Sequence, residues 1–342
     1  MDIIAVTGAT GHIGNVLIRK LTGTGVKIRA LVLPGEDLKP LKDTGAEIVI
    51  GDVRDKKSLI KAFSGAKTVF HLAGIISIVR GQRNLLEEVN VRGTKNVIDA
   101  CINTGAERLI YASSIHALKE PPKGTIITEE QGFDPLQVLG DYAKSKAQAS
   151  LEVLKSVKDG LYSVIACPTG VIGPFDFKGS EMGTLINNFL KKKIPACVGG
   201  AYDFVDVRDV ANGMIASAKK GRNGEIYILG GEQITIRELF SMIERLSGIK
   251  APKLNIPASL ARFCGLLATP FYKFSRSKPL LTPYSIDVLN SNSLVSSDKA
   301  KRELGYTPRS LRISIFDSIK WFKEEEQKYC GNLKFKSGIS AI

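Results

Sequence analysis

A chain of 342 residues with 44% apolar side chains can bury one sizeable core, or one nucleotide-binding core with a smaller satellite grown onto it. Its formal net charge of +14 is uneven, because residues 250–342 carry 16 Lys and Arg against 7 Asp and Glu. No aromatic-interleaved basic stripe accompanies that charge, so a nucleic-acid partner is not expected and a basic soluble surface is. The five cysteines (Cys101, Cys167, Cys197, Cys264, Cys330) are widely spaced and lack a C-x-x-C pair, in a chain with three histidines. They read as reduced thiols in the cytoplasm, with no metal site.

The first apolar run begins at once, with Ile3–Val6 reading as a strand, so the sequence predicts no secretory leader there. Strands follow at Ile28–Val32, Glu47–Ile50, Thr68–Leu72, Arg108–Ala112 and Ser163–Ala166. Between them Asn15–Thr22, Lys57–Phe63, Asn90–Asn103 and Asp141–Val157 place apolar residues three and four apart, the helical period. This alternation predicts an α/β fold, a doubly wound parallel sheet of the Rossmann type. After Pro168 the rhythm breaks at Pro174, Gly179, Gly183, Pro195, Gly199 and Gly200, which predicts loops and short helices. A strand at Ile226–Leu229 and a helix from Thr235 to Ser247 come next, then a proline-punctuated helical remainder from Lys250 to Glu326. The division expected is 1–172 with 200–231 for the nucleotide-binding unit, 173–199 with 232–330 for a smaller, mostly helical substrate-binding region, and 331–342 as a tail.

Directly after the first strand stand Gly8, Gly11 and Gly14, three residues apart, with His12 and Ile13 opening a helix. Glycine there lets the chain turn off the strand, brings backbone N–H groups to a pyrophosphate and packs the helix close to the sheet. The helix N-terminus would face the phosphates. At the other end of the argument, Tyr142 and Lys146 are four residues apart and share one face of a helix. A tyrosine with a pKa of about 10 works as acid or base near neutrality only if a nearby positive charge favours the phenolate. Lys146 is the residue placed to supply that charge.

Together these motifs resemble the extended short-chain dehydrogenase/reductases of the NAD-dependent epimerase/dehydratase superfamily. Gly51-Asp52-Val53 resembles the family's adenine contact, and His71-Leu72-Ala73-Gly74 the stretch beside ribose and nicotinamide. Asn90-Val91-Arg92-Gly93-Thr94 is similar to the helix that steadies the sheet and the lysine. The resemblance implies cofactor contacts from Gly8, Gly11, His12, Ile13, Gly14, Asp52, Val53, Leu72, Ala73, Gly74, Tyr142, Lys146, Pro168 and Val171. It assigns Ser114 to the substrate oxygen and leaves Ser113 to packing or the cofactor. Where the family usually has Arg, Cys167 stands. Phe204–Ala211 resembles a structural marker of the extended subgroup, with Asp209 expected to cap or orient the next helix.

After the second strand Glu36 or Asp37 could meet ribose hydroxyls and Lys39 or Lys42 a 2′-phosphate, so the residues leave both cofactors open. The resemblance favours NADP(H) over NAD(H), because the relatives it points to are reductases. Epimerases that act on nucleotide sugars commonly carry Arg where Tyr202 precedes Asp203-Phe204. The stretches Lys278–Ser285 and Ala300–Arg309 resemble dihydroflavonol-4-reductase-like proteins, relatives of 3β-hydroxysteroid dehydrogenases. The activity implied is carbonyl–alcohol interconversion on a small, hydrophobic substrate; the alternatives are a nucleotide-sugar epimerase/dehydratase and, in another class, a non-catalytic cofactor-binding regulator or membrane-associated scaffold. His116, near Ser114, is expected in the same cleft or at the solvent. Relatives often form a homodimer through helices matching Asn90–Asn103 and Tyr142–Val157. The segment Ala258–Lys278, apolar at its start and basic at its end, suits packing onto the core or contact with a lipophilic substrate or an anionic membrane surface.

Overall fold

The computed structural model describes residues 1–76, 81–263 and 282–337. Seven parallel strands form its central sheet: β1 (Ile3–Thr7), β2 (Lys27–Val32), β3 (Glu47–Ile50), β4 (Ala66–His71), β5 (Arg108–Ala112), β6 (Tyr162–Pro168) and, at the edge, Ile226–Leu229. Their spatial order is β3-β2-β1-β4-β5-β6 and then the edge strand. Successive residues point to opposite faces and both faces are covered. Val69, Leu109 and Ile165 enter one core, while Phe70, Ile110 and Val164 enter the other. The helices α1 (His12–Leu21) and Val207–Lys220 pack together on one side. On the other lie α2 (Lys56–Phe63), Gly93–Thr104 and Asp141–Lys158. The strand order reverses between β1 and β4, and the crevice at that switch point is where such sheets take a ligand.

Several expected elements differ in detail. The first helix starts at His12, three residues before the predicted Asn15, because Gly11 is its N-cap. The predicted helix Asn90–Asn103 begins as a π-helical turn, Glu87–Arg92, and becomes α-helical over Gly93–Thr104. Such a turn inserts one residue per loop of helix, a local widening often found at functional sites. The stretch after Pro168 is richer in strands than its prolines and glycines suggested. Gly170–Ile172, Ala201–Asp206 and Glu232–Thr235 form a three-stranded sheet, and Ala196–Val198 pairs with Leu254–Ile256. These runs of three to six residues are too short to show a period. Asp206, rather than Asp209, caps the helix Val207–Lys220, accepting from Arg208 N–H at 2.8 Å. Asp209 lies in that helix's first turn, where its carboxylate accepts from the Arg309 guanidinium at 2.8 Å and so anchors the C-terminal region.

A third core, including Ile172, Phe189, Phe204, Leu239, Ile243 and Ile315, lies under Glu181–Leu190, Ile236–Ser247 and the C-terminal helix. That last helix spans Leu311–Ser337, past the boundary expected at 331. Of the segment Ala258–Lys278, residues 264–278 lie outside the described residues; Leu260 and Phe263 are exposed. Among the described residues no helix is long and apolar enough to cross a membrane.

Candidate active site

The crevice is built from backbone upward. Gly8 has φ +65°, and a Cβ there would stand 2.6 Å from Ala73 N and Leu72 C. The phosphate-loop motif and the Leu72–Gly74 stretch are thus in direct contact, and only glycine permits it. A Cβ on Gly14 would lie 2.2 Å from Gly8 O, so that glycine sets the close packing of α1 on the turn. Gly11 is different, since its Cβ would meet only Gly8 O, at 3.1 Å. No side chain caps α1 and its first turn holds no acid, which leaves its N-terminal N–H groups and positive end available to an anion. This arrangement fits a pyrophosphate-bearing dinucleotide.

A buried chain of hydrogen bonds ties the loop to the catalytic side. Ala73 N–H donates to Thr7 Oγ1 at 3.1 Å, Thr7 Oγ1 lies 2.7 Å from His71 Nδ1, His71 Nε2 lies 3.0 Å from Thr94 Oγ1, and Thr94 donates to Asn90 O at 2.6 Å. Since the Thr94 proton is committed to Asn90 O, His71 must donate from Nε2 and accept at Nδ1 from Thr7. Burial and the charge of Lys146 push the His71 pKa down to about 3, so the ring stays neutral. Asn90 Oδ1 accepts from Ile75 N–H at 2.8 Å and Nδ2 donates to Ser145 Oγ at 3.0 Å, linking β4's end to the helix of Tyr142.

Tyr142 and Lys146 sit in the helix Asp141–Lys158, both buried. Lys146 Nζ donates to Ala112 O at 2.6 Å and to the Tyr111 hydroxyl at 3.1 Å. A Cβ on Gly74 would lie 3.6 Å from that nitrogen. Burial lowers the Lys146 pKa to about 7. The Tyr142 phenol is buried as well. Burial pushes it up to about 12, and its hydrogen bond with Ser114 works in the opposite sense. Ser114 also caps a short turn by accepting from His116 N–H at 3.3 Å. Ser113 Oγ lies 2.7 Å from Ser150 Oγ, inside the protein. Cys167 is buried in β6 beside Ser113, which explains how a thiol occupies a place where an arginine would need a solvated end.

The remaining predicted contacts lie on several elements. Pro168 ends β6 and Val171 lies in the strand that follows. Both Asp52 oxygens accept from Arg54, which holds the carboxylate below its usual range, and Val53 packs on Gly93. The hydrogen bonds of Thr7 and Tyr111, and the contact of the segment after Val171 with α1, have no signal in the sequence. His12 Nε2 meets Pro174 O at 3.0 Å and Asn15 Nδ2 donates to Phe175 O at 3.1 Å. Lys178 donates to Thr10 Oγ1 at 2.8 Å and also pairs with Glu36. Glu36 in turn accepts from Leu33 N–H at 3.3 Å, at the end of β2. Lys39 is paired with Glu325 at 2.6 Å. Among the described residues no cluster of His, Cys, Asp or Glu could hold a metal ion.

Fold and crevice together define an NAD(P)-dependent oxidoreductase of the extended short-chain dehydrogenase type. Residues 4–230 match the NAD dependent epimerase/dehydratase family, and the chain belongs to it. The chain is 35% identical to sterol demethylase protein B of Methylococcus capsulatus over 93% of its own length and 98% of the relative's. It is 30% identical to a putative dihydroflavonol 4-reductase of Synechocystis, over 94% and 95% of the two chains. Among solved structures, that of gox2253 superposes with a TM-score of 0.83 at 33% identity, covering 95% of this chain and 99% of the other.

Proposed function

We propose that the protein interconverts a carbonyl and a secondary alcohol on a small, hydrophobic substrate, with Ser114, Tyr142 and Lys146 as its catalytic residues. What supports the reading is that Ser114 hydrogen-bonds the Tyr142 phenol while Lys146, one turn further along the same helix, brings its Nζ to 3.6 Å from where a Cβ on Gly74 would stand. A bound nicotinamide supplies or accepts hydride at its C4. In reduction, Ser114 and Tyr142 both donate to the substrate oxygen. Tyr142, protonated at neutral pH, then passes its proton to that oxygen as negative charge develops there. The Lys146 ammonium lowers the cost of the phenolate left behind. Oxidation uses the same groups in reverse. The names of the relatives, which include a sterol demethylase and a 3β-hydroxysteroid dehydrogenase, support a hydrophobic substrate.

NADP(H) is the cofactor we favour, because Lys178 stands between Thr10 of the loop and Glu36 at the ribose end. Glu36 itself supports the second choice, NAD(H), since a carboxylate at the end of β2 can accept from ribose hydroxyls. Residues 1–172 with 200–231 serve the cofactor and 173–199 with 232–330 the substrate, a division supported by a third core drawn mostly from the second set, with Ile172 and Phe204 joining it from the first. Ile102 and Leu151, exposed on the two helices, support a homodimer through that face.

The test is a turnover screen of hydroxysteroids, flavanonols, simple ketones and nucleotide sugars with each cofactor, read at the nicotinamide absorbance. Turnover of apolar carbonyls or alcohols with a lower KM for NADPH is expected. Activity confined to nucleotide sugars would refute the substrate class, and a lower KM for NADH would refute the cofactor choice.

A further inference from the structure

The proposed reaction draws its positive charge from Lys146, which is buried. Taking an ammonium out of water is costly unless other groups solvate it. Among the described residues no carboxylate pairs with Lys146, and Nζ donates to two neutral oxygens, Ala112 O at 2.6 Å and the Tyr111 hydroxyl at 3.1 Å. Tyr111 contributes twice, because Nζ also stands 4.6 Å from the centroid of its ring, where the negative π face attracts a cation. Ala112 O is a backbone atom that any residue there would offer, whereas the hydroxyl and the ring belong to one side chain. The strand fixes that side chain: Tyr111 lies in β5, between His71 of β4 and Ile165 of β6, and is fully buried. The His71 ring packs against it with 5.4 Å between centroids. Thr94 hydrogen-bonds the Tyr111 hydroxyl, which ties the ammonium to the chain running back through His71 to Thr7.

The titratable groups around Lys146 leave its charge uncompensated. Burial pushes His71 on β4 down to about 3 and Cys167 on β6 up to about 12, and it raises the Tyr111 phenol on β5. Tyr142, on the helix of Lys146 itself, is pushed up to about 12. All four are therefore neutral near pH 7. A carboxylate in the place of Tyr111 would hold the ammonium more tightly but cancel its field at Tyr142. A neutral phenol solvates the charge and leaves that field in place.

We propose that Tyr111 is a positioning residue, which holds the Lys146 ammonium charged and in place through its hydroxyl and its ring face. The use of that ammonium in turnover rests on the oxidoreductase reading above. The experiment uses the full-length, ligand-free protein labelled with ζ-15N lysine, in which the Lys146 signal is assigned by its loss in Lys146→Met and titrated against pH. Wild type should titrate near pH 7, and Tyr111→Phe lower by about one unit or more, the shift expected when a charged group loses a hydrogen bond. Tyr111→Met lacks the π face as well and should titrate lower still; it also takes over the test should Tyr111→Phe fail to fold. A midpoint unchanged or raised in the folded variants, or loss of folding in both, would overturn the proposal. On the substrate that the screen identifies, the alkaline limb of kcat for carbonyl reduction should move to lower pH too, because a more weakly held proton leaves Lys146 earlier as pH rises. A midpoint that falls while this limb stays put would leave the hold of Tyr111 on the ammonium standing and would refute instead the catalytic part given to Lys146.

Discussion

Replacing Thr7 with valine keeps the side chain's shape and deletes one oxygen. That oxygen accepts from Ala73 N–H at 3.1 Å and meets His71 Nδ1 at 2.7 Å, both inside the protein. Thr7 and His71 are fully buried, so water cannot replace the lost partner. His71 cannot protonate to adapt, since burial holds its pKa near 3. Each stranded group costs about 1–3 kcal/mol, which gives about 2–6 kcal/mol for the pair. Thr7→Ser keeps the hydroxyl and removes one methyl, at a cost of about 1 kcal/mol. Urea unfolding followed by fluorescence measures both variants, and cofactor titration shows whether the Gly8–Ala73 contact has loosened. A Thr7→Val cost under about 0.5 kcal/mol, or one no larger than that of Thr7→Ser, would show that the chain from Ala73 to Asn90 does not organise the site.

Gly11→Val should leave folding nearly intact, because only Gly8 O lies near the added Cβ, yet abolish dinucleotide binding measured by calorimetry. Gly14→Ala should instead destabilise the fold itself by about 1–3 kcal/mol in urea unfolding, since its Cβ would stand 2.2 Å from Gly8 O. Lys146 binds its proton more weakly when folded, with its pKa near 7 against about 10.4 unfolded, so between those values the unfolded chain holds more protons. Stability should therefore rise with pH across that window, by up to about 1.4 kcal/mol per pH unit, and Lys146→Met should flatten the slope. Parallel stability–pH profiles for wild type and Lys146→Met would contradict this.

The sheet, the glycine turn and the Tyr142–Lys146 pair were legible because each follows a short-range rule: period two or 3.6, glycine where no Cβ fits, and four-residue spacing on a helix. What escaped depends on contacts distant in sequence. His71 and Thr94 stand in motifs the sequence offers, but only β4 lying beside β1 joins them with Thr7 into one hydrogen-bonded chain. Tyr111 is an aromatic in a strand until Lys146, 35 positions away, reaches its hydroxyl. The short strands after Pro168 pair with partners dozens of residues away, which local composition could not reveal.

The central claim is that Tyr142 moves the proton, and Tyr142→Phe tests it most directly. Removing a positioned general acid should lower kcat by about two orders of magnitude or more on whichever substrate the screen identifies. The affinity for NADPH, titrated by fluorescence on the same preparation, should stay within about twofold of wild type, the scatter of a change worth less than ~0.5 kcal/mol. Turnover equal to wild type in the variant would contradict the account.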